Sequence, residues 1–150
     1  MRLTVTTPFA IVVDTVDVAH LRAEDESGAF GILPGHADFL TALVVSVASW
    51  RGDSGTEHHL ALRGGMLEVH NGDAITIATP EAVMGDDLHR LEAEVLTRFR
   101  LRLAEEQAAR TDAQRLYLTA IRQIVRFLRG ESGQAIPTLS PARPDDGPPL

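Results

Sequence analysis

Residues 62–78, LRGGMLEVHNGDAITIA, decide the fold class of this chain. MLEVH (66–70) and AITIA (74–78) alternate at period two and favour β-branched or long apolar side chains, the pattern of short half-buried strands. Between them Asn71 and Gly72 tolerate positive φ, so the sequence predicts a two-residue hairpin turn of the primed type. The Gly64–Gly65 pair reads as a second turn, preceded by another strand, HLALR (59–63). Working outward, the same period appears in ALVVSVASW (42–50), IVVDTVDVAHL (11–21) and LTV (3–5), with RGDSG (51–55) as a further turn. Many short strands joined by tight turns predict a β-sandwich or flattened barrel over residues 1–85. A domain this small buries only about 60% of its unfolded surface, so it is expected to lean on partners.

After Pro80 the period changes. Gly85, Asp86 and Asp87 form a helix entrance, with negative charge at the N-terminal dipole and a capping carboxylate available. Leu88, Leu91, Val95, Leu96, Phe99 and Leu103 recur at spacings of three and four and mark one apolar stripe over about 87–109. Thr111 or Asp112 would cap a second helix, in which Tyr117, Ile121, Ile124, Val125 and Leu128 form a stripe before Gly130 stops it. Two stripes with a short break predict a helical hairpin over 86–129. Residues 130–150 hold five Pro and three Gly without periodicity and read as a disordered tail.

The net charge of −7 conceals a split. Residues 1–87 carry 4 Arg against 13 acids, whereas 88–129 carry 9 Arg against 5. An acidic body with a basic appendage points to an acidic partner for the appendage, because opposite potentials steer association. With no cysteine, disulfides and thiolate zinc sites are excluded. No run of about 18 apolar residues exists and no leader pattern opens the chain, so the expectation is a soluble protein of the cytoplasm.

The usual catalytic patterns are missing. Gly31 and Gly35 lack the spacing of a phosphate cradle, and no Lys follows them. Ser27 and Ser46 do not lie in GxSxG. His58 and His59 are adjacent, so in a strand they face opposite ways, and His20, His36, His70 and His89 lack chelating spacing. They read as structural or surface histidines, and no metal or catalytic residue is expected. The hairpin arginines, Arg98, Arg100, Arg102, Arg122, Arg126 and Arg129, have a solvated-surface reading and a partner-binding one. Nucleic acid is a poor candidate, since the acidic body would repel a duplex. An alternative function nonetheless stands: a small β-sandwich adaptor whose Arg-rich helices bind an acidic partner such as nucleic acid.

Four segments together, LTVTTP at the N-terminus, GAFGILPGHADFLTAL (28–43), LRGGMLEVHNGDAITIA (62–78) and DDLHRLEAE (86–94), resemble the epsilon subunit of F-type ATP synthases. The flanks are most similar to the alternate branch of these enzymes. The resemblance covers about residues 1–129. It implies a ten-stranded sandwich followed by a two-helix hairpin in a non-catalytic rotor subunit of the central stalk, peripheral on the cytoplasmic face of the cell membrane. The implied partners are the gamma subunit, the c-subunit ring and, through the hairpin, the beta subunits. The interface implied for the rotor comprises Glu26, Phe30, Gly31, Ile32, Leu33, Pro34, Gly35 and His36. Many family members carry an acidic residue in this loop where Ala29 stands, and Glu26 is the nearby substitute. The six arginines are the implied regulatory set. Some members bind ATP on the hairpin through I/L-DxxRA. Here Asp87 and Arg90 match, but Asp86 and Leu91 depart from the motif, so no cofactor is expected.

Overall fold

The structure is a computed structural model and describes residues 1–131. Eight strands come first: β1 (Arg2–Thr6), β2 (Ile11–Thr15), β3 (His20–Asp25), β4 (Gly28–Ile32), β5 (Phe39–Arg51), β6 (Glu57–His70), β7 (Ala74–Ala78) and β8 (Ala82–Gly85). The helical region follows as α1 (Leu88–Arg90), a π-helical stretch (Leu91–Leu96) and α2 (Thr97–Glu131). The chain divides into two compact units after Ala108, and the first holds every strand and the helical start.

The strands run in the order β2-β1-β7-β6-β5-β3-β4, with β8 added to β6. All pairings are antiparallel except β1 with β7. One apolar core contains Val13 of β2 and Ile32 of β4, the two ends of that order, together with Leu3, Leu21, Leu60, Leu67 and Ile75. In a flat sheet six strand spacings would hold the ends about 29 Å apart and leave that face bare. These side chains are 0–6% exposed, so the sheet folds over on itself as a sandwich.

The fold-over is made by β5 and β6, of 13 and 14 residues. In β6 the core-facing residues are Leu60 and Leu62 before the glycine pair and Leu67 and Val69 after it, so the inward set changes parity at Gly64–Gly65. In β5 the matching change falls between Leu43 and Ser46. Both glycines have positive φ, 75° and 130°. The ladder nevertheless stays in register across them, with Leu43 opposite Gly65 and Val45 opposite Arg63. The first half of β6 pairs with β8 and the second with β7, and so one bent strand serves both layers.

This corrects several expectations. The glycine pair is a kink inside one strand rather than a turn between two. Because β5 and β6 pass unbroken through both layers, the described residues form eight strands and not ten. The stretch 11–21 breaks at 16–19 into β2 and the start of β3. β4 and β8 form where no strand is expected, because each finds a ladder partner, β3 and β6 respectively. The β6–β7 loop holds three residues, with His70 opposite Ala74, although Asn71 (φ 53°) and Gly72 (φ 74°) do take the left-handed conformations expected of them.

Leu60, Ala61 and Leu62 are all buried, which a one-sided sheet does not allow. Ala61 faces outward, beneath Leu91, Leu96 and Phe99, with Val45, Val47, Val83 and Val95 around them. Leu91 and Leu96 are five residues apart and share this face, the geometry a π turn with its i→i+5 bonds supplies. Asp87 caps the entrance as expected, its Oδ1 accepting from the Arg90 N–H at 3.2 Å. The expected second helix and its loop do not appear. Thr111 and Asp112 lie inside α2, which is continuous through Gly130 to Glu131. Good helix formers on both sides (AEEQAAR and AQRLYL) carry the two weak formers at well under 1 kcal/mol each. Of the expected tail, 132–150 lies outside the described residues.

Gly65 tests the kink. An added Cβ would overlap the Ala78 carbonyl, whereas at Gly55 (φ 82°) it meets nothing within 4 Å. Gly55→Ala should cost about 1–2 kcal/mol from its φ alone. Gly65→Ala should cost roughly 1–3 kcal/mol more, because backbone must move. Denaturant unfolding of the two variants gives the difference; equal values would mean that the β6–β7 approach is not tight.

Candidate functional site

The 33–38 loop leaves β4 after Ile32 and crosses toward the start of β5. Pro34 fixes its entry, and Gly35 takes φ 82°, which a Cβ would strain although nothing lies within 4 Å. The loop is tied to the β6–β7 turn at three points. The Gly35 N–H donates to the Gly72 carbonyl at 2.8 Å, the Asn71 N–H to Asp38 Oδ1 at 2.8 Å, and His70 lies 3.6 Å from Asp38. Gly72 itself is packed against Gly35 and His36, so the two turns are one unit. Phe39 meets Phe30 edge-on at 5.6 Å and His36 at 5.7 Å.

The implied interface residues therefore separate. Ile32 is fully buried and belongs to the core. Phe30 is half-buried against that core, and Gly31 lies against the His20 ring. Leu33, 58% exposed, Pro34 and Gly35 form the outer knuckle, with His36 half-buried behind them. Glu26 is exposed in the two-residue β3–β4 turn, with β4, about 13 Å of strand, between it and the knuckle. Its neighbour Asp25 organises that turn. Ser27 Oγ donates to Asp25 Oδ1 at 2.6 Å and Thr41 Oγ1 to Oδ2 at 2.8 Å. The Ser27 hydroxyl first, then Thr41 and the Ser27 N–H, hold the Asp25 carboxyl below its ordinary 3.8.

A second surface was not anticipated from the sequence. Ile11, Thr6, Ala78, Met66 and Ala42 are successive cross-strand neighbours over β2-β1-β7-β6-β5. Directly opposed residues share a face, so they make one outward row. Ile11 is 65% and Met66 45% exposed, Leu40 stands in the adjoining row, and Phe9 in the β1–β2 turn is 95% exposed. The signal was present as apolar residues at the outward phase of β2 and β6, but only the register brings them together.

The arginines also divide. Arg102 is engaged with Glu81 at 2.7 Å, and Arg98 lies over the Phe99 ring at 5.8 Å. Arg100, Arg122, Arg126 and Arg129 are exposed along α2. Asp87 is the helix cap, and Arg90 pairs with Glu94 one turn on at 3.2 Å. The histidines have structural contacts: Ser49 Oγ lies 2.8 Å from His59 Nδ1, and His58 stacks on Trp50 at 5.2 Å. A cleft of about 710 Å³ beside the helical start is lined by exposed charges of both signs, among them Arg22, Glu24, Glu92 and Arg100. Among the described residues no cluster of three metal-ligating groups occurs, and no helix is long and apolar enough to cross a membrane.

Residues 1–85 match the family described as ATP synthase, Delta/Epsilon chain, beta-sandwich domain. The chain is 43% identical over 135 residues to ATP synthase epsilon chain 2 of Paraburkholderia xenovorans, covering 90% of this chain and 97% of that one. It is 42% identical to ATP synthase epsilon chain 2 of Cereibacter sphaeroides, over 85% of this chain and 88% of that one. Its fold is similar to a chain in the cryo-EM structure of Euglena gracilis mitochondrial ATP synthase, with TM-score 0.54 and 24% identity over 71% of this chain and 62% of that one. The chain thus belongs to the delta/epsilon family of ATP synthase chains, on the epsilon side, and among relatives that carry the designation epsilon chain 2. An epsilon chain is a non-catalytic subunit of ATP synthase.

Because the folded pKa of Asp25 is lowered, its contribution to stability is complete above pH 3.8 and is lost as pH falls through the lower folded value. Asp25→Asn should destabilise the chain at about pH 6 and reduce its loss of stability between about pH 4 and pH 2. Urea unfolding across that range reads both effects; an unchanged acid limb would show that the Ser27 and Thr41 hydrogen bonds do not persist in solution.

Proposed function

We propose that this subunit couples the catalytic head to the membrane ring by offering two surfaces to the rotor: the apolar row around Ile11 and Met66 to the gamma subunit, and the knuckle at 33–36 to the c-subunit ring. The observation that carries this reading is the row itself. A sandwich with exposed Phe9, Ile11, Leu40 and Met66 on one face has an incomplete burial, which a partner helix or sheet would finish. The knuckle lacks such apolar area. Its value is rigidity, since the ties to Gly72 and Asn71 hold Leu33 and Pro34 in place. On this reading the subunit is peripheral, at the cytoplasmic face of the membrane. Glu26, at the far end of β4, fits a separate contact better than membership of the knuckle.

The C-terminal region is read as regulatory. Tyr117, Ile121, Ile124, Val125 and Leu128 stand 39–68% exposed on one helix. That stripe is suited to a second state, a two-helix hairpin turning near Thr111 and Asp112, in which it would be covered. In the extended state the arginines of α2 meet an acidic surface of the beta subunits and oppose ATP hydrolysis.

Size-exclusion co-purification with the cognate gamma subunit tests the first surface. The native chain should co-elute, Ile11→Asp with Met66→Asp should not, and both should keep their fold. If the native chain ignores gamma, the rotor reading fails. For the regulatory reading of the C-terminal region, Arg98, Arg100, Arg122, Arg126 and Arg129 changed together to Gln should raise ATP hydrolysis by the assembled complex. Each exposed pair contributes about 0–1 kcal/mol, so single changes should move the rate less than about fivefold. An unchanged rate with all five replaced, at low and moderate salt, would make these charges solvated surface only.

A further inference from the structure

We propose that Arg63, Glu81, Arg102 and Glu106 form an ionic clasp that holds the helical region against the sandwich as far as Glu106, and so determines where the helix can part from it. The four side chains come from three places. Arg63 lies on β6 immediately before the kink, Glu81 on the segment leading into β8, and Arg102 and Glu106 on α2. Their charges alternate along the chain of contacts. Arg102 Nη1 lies 2.7 Å from Glu81 Oε2, Arg63 Nε lies 3.8 Å from the same oxygen, and Arg63 Nη1 donates to Glu106 Oε1. The Arg63 N–H also donates to the Glu81 carbonyl at 3.0 Å, which fixes the Glu81 backbone beside β6.

Arg63 is the centre of the arrangement. Its side chain is only 16% exposed, while Glu81 is 28%, Arg102 51% and Glu106 49% exposed. Its Nε is buried without a hydrogen-bond partner, which leaves the two carboxylates as its compensation. A half-desolvated guanidinium that loses one carboxylate keeps its charge in a poor dielectric, so the contacts are expected to open together. The clasp also lies where apolar burial ends. Phe99 is fully buried, whereas every side chain from 100 to 129 is exposed. Arg102 and Glu106, three and seven residues beyond Phe99, carry the hold about two turns past the last apolar anchor. A change of state in the C-terminal segment then leaves the helix through Glu106 in place, unless the clasp is broken first.

The inference concerns the isolated chain and stands whether or not the C-terminal helix inhibits ATP hydrolysis. Amide hydrogen exchange of the full chain, read by mass spectrometry, tests it with Arg63→Met, Glu106→Gln, their combination, and Glu105→Gln as an exposed neighbour. Arg63→Met should speed exchange of amides 97–106 at least fivefold, and Glu106→Gln by a smaller factor in the same direction. The double variant should be no faster than Arg63→Met alone, because both changes open one unit. Glu105→Gln should change nothing, and the amides around Leu67, Val69 and Ile75 should stay within twofold throughout. Unchanged helix exchange in Glu106→Gln, fully additive effects, or equal acceleration in the sandwich would overturn the proposal. Should Arg63→Met fail to fold, Glu106→Gln decides alone, since its side chain is half exposed.

Discussion

Every layer of this protein is reached through β5 and β6. Their shared ladder is the longest in the molecule, and its passage from one layer to the other depends on the backbone of Gly64 and Gly65. Positive φ at both positions lets the strand turn its inward side while the ladder keeps its register, with the Val44–Gly64 pair left open at the kink. The absence of a Cβ at Gly65 lets it lie against the Ala78 carbonyl. With side chains there, β6 would continue straight, its second half would present Leu67 and Val69 to solvent, and the β1–β7 layer would have nothing to cover.

That same bend sets up the surroundings of the helix. Before the kink, β6 has both faces covered, inward by the core and outward by Leu91, Leu96 and Phe99 over Ala61. The small side chain of Ala61 and the lack of one at Gly85 let the helix approach, with Leu91 so near that a Cβ on Gly85 would come within about 3.0 Å of it. The helix is thus attached by a short apolar contact at one end and by charge just beyond it. Further along α2 the apolar side chains from Tyr117 to Leu128 are exposed.

The candidate surfaces were legible to different degrees. Pro34 and Gly35 mark the turn at 33–38 locally, through their own backbone limits. What holds it is non-local: Gly72 and Asn71 are more than thirty residues away and no spacing pointed to them. Ile32 belongs to the rotor interface that the resemblance implies, but the ladder between β3 and β4 turns it into the core. The arginines read as one basic set, yet Arg102 is bound to Glu81, a pairing that depends on where the helix crosses the sheet. The apolar outer row could not be found at all without the register, because its members come from five strands.

By itself the sequence determined what period and backbone chemistry dictate: a β-rich region to about residue 85, left-handed turns at Asn71 and Gly72, a helix entered at Asp87, an acidic body and a basic appendage. These follow from the preferences of neighbouring residues, which tertiary contacts seldom reverse. Only the tertiary structure decided whether the glycine pair ended a strand or bent one, and whether Gly28–Ile32 was loop or ladder. It also decided whether two apolar helical stripes lay in one helix or two. In each case the local preferences of the alternatives lie within a kcal/mol or so of one another, and the choice passes to whichever partner surface is within reach.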